Sequence, residues 1–137
     1  MKTIILFLTL ILFIQKPNEN IAPDITGQWI SQGEDGKGLV EIYKGTNGKF
    51  YGTLLKALDD NHQQKLDNEL VKKKKDFLLV LRDFEYKGDQ IWENGKLFSP
   101  KRRQLIDGKL TLLNENELKV EGFLWGFRKS FTWHRKK

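Results

Sequence analysis

The chain has 137 residues, 24 basic and 18 acidic side chains for a net charge of +6, 39% hydrophobic residues and no cysteine. That is room for one domain, and the 4 Trp, 3 Tyr and 9 Phe supply enough large apolar groups for a core, which excludes a disordered chain. Without Cys there is no disulfide, thiol nucleophile or Cys-ligated metal, and His62 and His134 as the only histidines nearly exclude imidazole chemistry.

Met1-Lys2 supplies a positive end, and an unbroken apolar run over residues 3–14 precedes Gln15-Lys16-Pro17, the pattern of a secretory signal. A helix of that length spans about 18 Å against a hydrocarbon core of about 30 Å, so a retained anchor is the weaker reading. A buried globular helix is weaker still, because the run has no polar face to turn to water. No A-x-A cleavage pattern stands here; placing the cut after Ala22 gives a signal peptide over 1–22 and a single domain over 23–137. The domain is then periplasmic or extracellular, and it must hold together by packing alone.

All 12 glycines follow the signal, and many punctuate runs rich in β-branched and aromatic residues. The pattern predicts strands at residues 25–31, 39–44, 49–57, 77–86, 90–98, 103–113, 117–124 and 127–135. Glu34-Asp35-Gly36-Lys37-Gly38, Gly45-Thr46-Asn47-Gly48, Lys87-Gly88-Asp89 and Asn114-Glu115-Asn116 read as tight connections, so neighbours are antiparallel. Asn94-Gly95 and Asp107-Gly108 also have hairpin composition, which leaves the count at eight strands, give or take two. Residues 58–75 form one long polar connection ending in Lys72-Lys73-Lys74-Lys75, with a short helix expected at 68–72.

Alternation such as Val40-Glu41-Ile42 and Leu118-Lys119-Val120-Glu121 makes one face wet and the other buried. No helices are available to cover the apolar face, so the sheet closes into a barrel or folds into a sandwich. The two ends of the domain favour the barrel. Thr26-Gly27-Gln28-Trp29 lies on the first strand, and Trp133 and Arg135, two apart, share a face of the last. First and last strands pair in a closed antiparallel barrel, so Trp29 plugs one end with the Arg135 guanidinium over its ring. The alternative is that Trp29 and Trp133 are plain core residues and Arg135 belongs to a solvated Arg135-Lys136-Lys137 tail.

Across residues 24–135 the chain resembles the bacterial secreted proteins catalogued as domain of unknown function 2147. The resemblance rests on Asp24-Ile25-Thr26-Gly27-Gln28-Trp29, Val40-Glu41-Ile42-Tyr43, Gly48-Lys49-Phe50-Tyr51-Gly52, Gly88-Asp89-Gln90-Ile91-Trp92, Gly95-Lys96-Leu97-Phe98-Ser99-Pro100, Leu118-Lys119-Val120-Glu121-Gly122 and Thr132-Trp133-His134-Arg135. It implies a signal peptide followed by a small all-β, antiparallel up-and-down barrel of lipocalin-like or calycin-like form, and it brings no activity, cofactor or catalytic residue. The chain departs from the family pattern at Ser99 (Asp expected), Arg103 (a turn Gly expected) and Phe77 (Gly expected), and its long loop lacks prolines.

Chemistry-bearing patterns are scarce. Asp59-Asp60-Asn61-His62 holds too few ligands for a metal site. Ser31, Ser99 and Ser130 have no base close in sequence, and His134 faces away from Trp133 and Arg135 towards solvent. The glycines form no phosphate-binding loop. No enzyme, cofactor or metal is therefore expected, and an exported protein has little occasion to meet nucleic acid.

Two functions remain. The leading one is a monomeric carrier whose barrel takes a small apolar or lipid-like ligand, with Tyr43, Tyr51, Trp92 and Trp133 as candidate ligand-binding residues. Strand register decides which of these face inward. The rival is an envelope interaction module with a filled barrel, meeting an anionic surface through Lys72 to Lys75, Lys101-Arg102-Arg103 and Arg135-Lys136-Lys137.

Overall fold

The computed structural model describes residues 21–34, 36–59, 78–99 and 102–137. The signal run, the helix expected at 68–72, His62, Phe77, Lys72 to Lys75 and Lys101 lie outside the described residues. Eight strands follow one another: β1 (Gly27–Gly33), β2 (Gly36–Lys44), β3 (Phe50–Ala57), β4 (Leu78–Gly88), β5 (Ile91–Ser99), β6 (Gln104–Asn114), β7 (Glu117–Leu124) and β8 (Phe127–Arg135). Each pairs antiparallel with the next, and β8 returns to β1, so the sheet is the closed eight-stranded barrel expected from the sequence.

Strand boundaries differ from the sequence reading where local hydrogen bonding intervenes. The first strand starts at Gly27 because the Asp24 carboxylate accepts from the Thr26 N–H (2.8 Å) and hydroxyl (2.6 Å), tying residues 24–26 into a local turn. β2 begins at Gly36 because pairing with β1 persists out to Gly33 opposite Gly36. Arg103, where a turn glycine was expected, takes a left-handed φ of 54°.

Asn94-Gly95 and Asp107-Gly108 are not turns: β5 continues through the first, with an irregularity where Asn94 takes a left-handed φ of 63°, and β6 continues through the second. Gly95 pairs with Gly108, and Gly108 with Gly122 on β7, so three buried glycines form a row across the interior wall. A Cβ on Gly95 or Gly108 would run into the Phe84 ring, and one on Gly122 into Ile106. The glycines are there to admit those side chains.

The row divides the interior. Towards the β2–β3, β4–β5 and β6–β7 turns the barrel is filled by Trp29, Phe50, Phe84, Trp92, Leu110, Leu112 and Leu118. Phe50 meets Trp92 edge-on with centroids 6.2 Å apart, and Tyr86 tilts against Trp92 at 4.9 Å. We call this the sealed end. The opposite end, where β1 meets β2, β5 meets β6 and β7 meets β8, is the open end.

The seam between β1 and β8 is short, registering Trp29 with Arg135 and Ile30 with His134. One further backbone bond, from the Lys136 N–H to the Gln28 carbonyl (2.9 Å), extends it at the sealed end.

Candidate functional site

Inward positions alternate along each strand. On β2 they are Gly38, Val40 and Ile42; on β7, Leu118, Val120 and Gly122. Past the glycine row the inward side chains no longer meet across the barrel. They enclose a cavity of about 150 Å³ at the open end, whose apolar wall is made by Val40, Leu54, Val80, Leu81, Leu97, Phe98, Ile106, Val120, Phe131 and Trp133.

Apart from Ser99 on β5, the polar groups of this cavity lie along the seam. Ser31, Gln32 and Glu34 on and just after β1 face Lys129 and Trp133 on β8. Beyond Ile30 the two strands stop pairing, and side chains span the gap instead. The Trp133 indole N–H donates to the Gln32 carbonyl at 3.0 Å. Lys129 Nζ stands 3.8 Å from Glu34 Oε1 at the rim, where both side chains are partly in water. An apolar pocket with a polar rim on one side suits a ligand with an apolar body and one polar group.

Of the four aromatic residues singled out as ligand-binding, Trp133 lines the cavity. Trp92 is fully buried in the sealed half, with its indole N–H unpartnered among the described residues, and does not reach the cavity. Tyr43 and Tyr51 are on the outer wall: they pair across β2 and β3 and stack with centroids 5.8 Å apart, and Tyr43 is 41% exposed. The Tyr51 hydroxyl donates to Asp83 (2.8 Å) and accepts from the Asn47 amide (2.8 Å), an outer-surface network. The alternation of Val40-Glu41-Ile42 puts Tyr43 on the side of Glu41, and the register of β2 with β3 sets Tyr51 opposite it. Phe131, Leu54, Lys129 and Glu34 carry no local sequence signal of a site, because only register brings them together.

Trp29 and Arg135 meet at the sealed end. Trp29 is fully buried, its indole N–H donates to the Ile25 carbonyl at 2.9 Å, and Arg135 Cζ lies 4.3 Å from its ring centre. The guanidinium donates to three carbonyls: Glu115 (2.7 Å), Thr26 (3.0 Å) and Asp24 (3.0 Å). Gly27, at φ +115°, follows the segment that carries the Thr26 and Asp24 carbonyls, and its absent Cβ leaves room 3.7 Å from Arg135 Nη1; the Glu115 carbonyl comes from the β6–β7 turn. Thr26, through its side-chain and backbone hydrogen bonds, holds the Asp24 carboxyl below the ordinary carboxylate range against the opposing effect of burial, and Arg135 adds a weaker lowering.

Among the described residues no three His, Asp or Glu side chains come together as metal ligands. His134 is exposed, its Nδ1 lying 3.8 Å from Glu117. The basic clusters do not share a face: Arg102 and Arg103 are at the open end, whereas Lys136 and Lys137 are at the sealed end.

The family model described as "Uncharacterized protein conserved in bacteria (DUF2147)" matches residues 27–135. No curated protein sequence matches the chain. A solved structure, "Protein HP1028 from the human pathogen Helicobacter pylori belongs to the lipocalin family", superposes with a TM-score of 0.65 at 23% identity, covering 83% of this chain and 84% of that one. The barrel is thus similar in fold to a lipocalin-family structure.

Proposed function

The chain belongs to the DUF2147 family of bacterial proteins, and from that premise we propose that it is an exported, non-enzymatic barrel that holds one small apolar or lipid-like ligand in the cavity at its open end. The observation that carries this reading is the cavity itself. A barrel needing only stability fills its interior on both sides of the glycine row; this one fills the sealed half and leaves about 150 Å³ against Trp133 and Phe131. That volume is below the roughly 300–1,000 Å³ of pockets for drug-sized molecules. It takes a small ring or the end of an alkyl chain, with the rest of the ligand in the mouth beside Lys129 and Glu34.

Titration with fatty acids of several chain lengths, and with a polyanion, at two salt concentrations tests the reading. A ligand in the cavity shifts Trp133 emission saturably, depends on chain length, ignores salt and binds with a negative heat-capacity change. Salt-sensitive polyanion binding alone transfers the function to an interaction surface. Export is tested separately by the N-terminal sequence of the protein from the cell envelope, expected to begin between Gln15 and Asp24.

A further inference from the structure

The two most exposed large apolar side chains among the described residues are adjacent at the tip of the β7–β8 hairpin: Trp125, 86% exposed, and Phe127, 75%. Leu124 pairs with Phe127, so Trp125-Gly126 is a two-residue turn, with φ of 49° and 81°. Both central residues are left-handed, a conformation that hairpins normally give to Asn-Gly or Gly-Gly. A bulky residue there is strained, and Trp125 gains no packing within the barrel to offset it. Folding therefore does not account for a tryptophan at this position.

The surroundings identify what does. Phe127 continues the inward series of β8, Trp133, Phe131 and Lys129, past the rim, so the tip stands at the cavity mouth. Arg128 and Lys129 follow it directly, and exposed Arg102 and Arg103 precede β6, which pairs with β7 alongside. The described acids nearby, Glu121 beside Lys119 and Arg128 and Glu34 against Lys129, offset part of this charge, and the basic side chains around the tip outnumber them. Two aromatic side chains on a two-residue turn offer far less than the roughly 800 Å² per partner of a stable protein interface. Trp and Phe ringed by Arg and Lys match the headgroup layer of a bilayer carrying negative lipids.

We propose that this tip docks the protein on an anionic lipid surface, with Trp125 and Phe127 among the headgroups and the cavity mouth turned towards the bilayer. The docking is independent of what the cavity holds. The test uses the full-length chain and vesicles of phosphatidylcholine, with or without phosphatidylglycerol, carrying brominated acyl chains. Trp29, Trp92 and Trp133 are buried, so bromine quenching of indole emission reports Trp125. Quenching is expected on the phosphatidylglycerol vesicles, falling as salt rises. Attachment that does not involve the tip would leave Trp125 unquenched. Trp125→Asn, which suits the left-handed turn, should abolish quenching while keeping or raising the urea midpoint, and Phe127→Ser should weaken vesicle binding by about tenfold. Absence of quenching in the parent protein, equal quenching on phosphatidylcholine alone, or quenching unchanged by Trp125→Asn overturns the proposal.

Discussion

The indole N–H of Trp133 donates to the Gln32 carbonyl, 3.0 Å away, at a level where β1 and β8 have ceased to pair through their backbones. One side chain thus takes over from the ladder on the wall of the cavity. Trp133→Phe keeps most of the ring and removes the donor, leaving a part-buried carbonyl unsatisfied. It should lower stability by about 1 kcal/mol and accelerate amide hydrogen exchange along residues 28–34 more than along β5 and β6. Uniform exchange rates across the strands would contradict this role.

Arg135 stabilises the sealed end through its ring contact and three carbonyl acceptors together. Arg135→Ala should cost about 2 kcal/mol in urea unfolding. Arg135→Lys should recover little, because an ammonium cannot spread across three carbonyls while lying flat on the indole. Lys137→Ala is the control and should change almost nothing.

The Phe84 ring on the adjacent strand fills the space that a Cβ on Gly95 would take. Gly95→Ala should destabilise by about 1–3 kcal/mol through overpacking. Combining it with Phe84→Leu should cost less than the sum of the two single changes, since the smaller side chain frees room for the new methyl. Strict additivity would show that the glycine serves some other purpose.

These residues also mark what could be read in advance. Strand positions, closure and the meeting of Trp29 with Arg135 follow from alternation and turn composition, which are local or fixed by the topology. Asn94-Gly95 and Asp107-Gly108 have the composition of hairpin turns, and only the Phe84 ring, brought over them by β4, shows that they are packing sites. The cavity was less accessible still. It depends on inward side-chain volumes summed over eight strands, with pairing irregular between Leu39 and Val40 and again around Gly52, so that one slip in register exchanges the inner and outer sets.

Asp24 makes the sealed end sensitive to acid. Its carboxyl is held below the ordinary value of 3.8 mainly by Thr26, so ionised Asp24 favours the folded state, and its contribution is complete above that value. As pH falls below it, the unfolded chain takes up the proton first, and the contribution is lost as pH passes through the lower folded value. The stability difference between the parent and Asp24→Asn should therefore be constant from pH 7 to about 5 and shrink below 4. A difference independent of pH down to 2 would remove the carboxylate from this role.

Val120 is a cavity-wall residue whose enlargement tests occupancy. Val120→Leu extends one carbon into the void, so it should leave the urea midpoint within about 1 kcal/mol of the parent. It should weaken binding of apolar ligands severalfold and leave vesicle docking by Trp125 unchanged. Unaltered ligand affinity would place the ligand elsewhere.

The brief seam also governs how the barrel assembles. Hairpins such as β4–β5, β6–β7 and β7–β8 join strands only a few residues apart, so each forms by local search on the way to the native state. β1 and β8 have to find each other across about a hundred residues of chain, and that closure entropy is spent on very few backbone bonds. Joining them is therefore the natural last step of folding and its reversal the first step of unfolding. Substitutions at Arg135 should appear mainly as faster unfolding with folding rates nearly unchanged, making the lifetime of the closed barrel a property of its clasp and not of its walls.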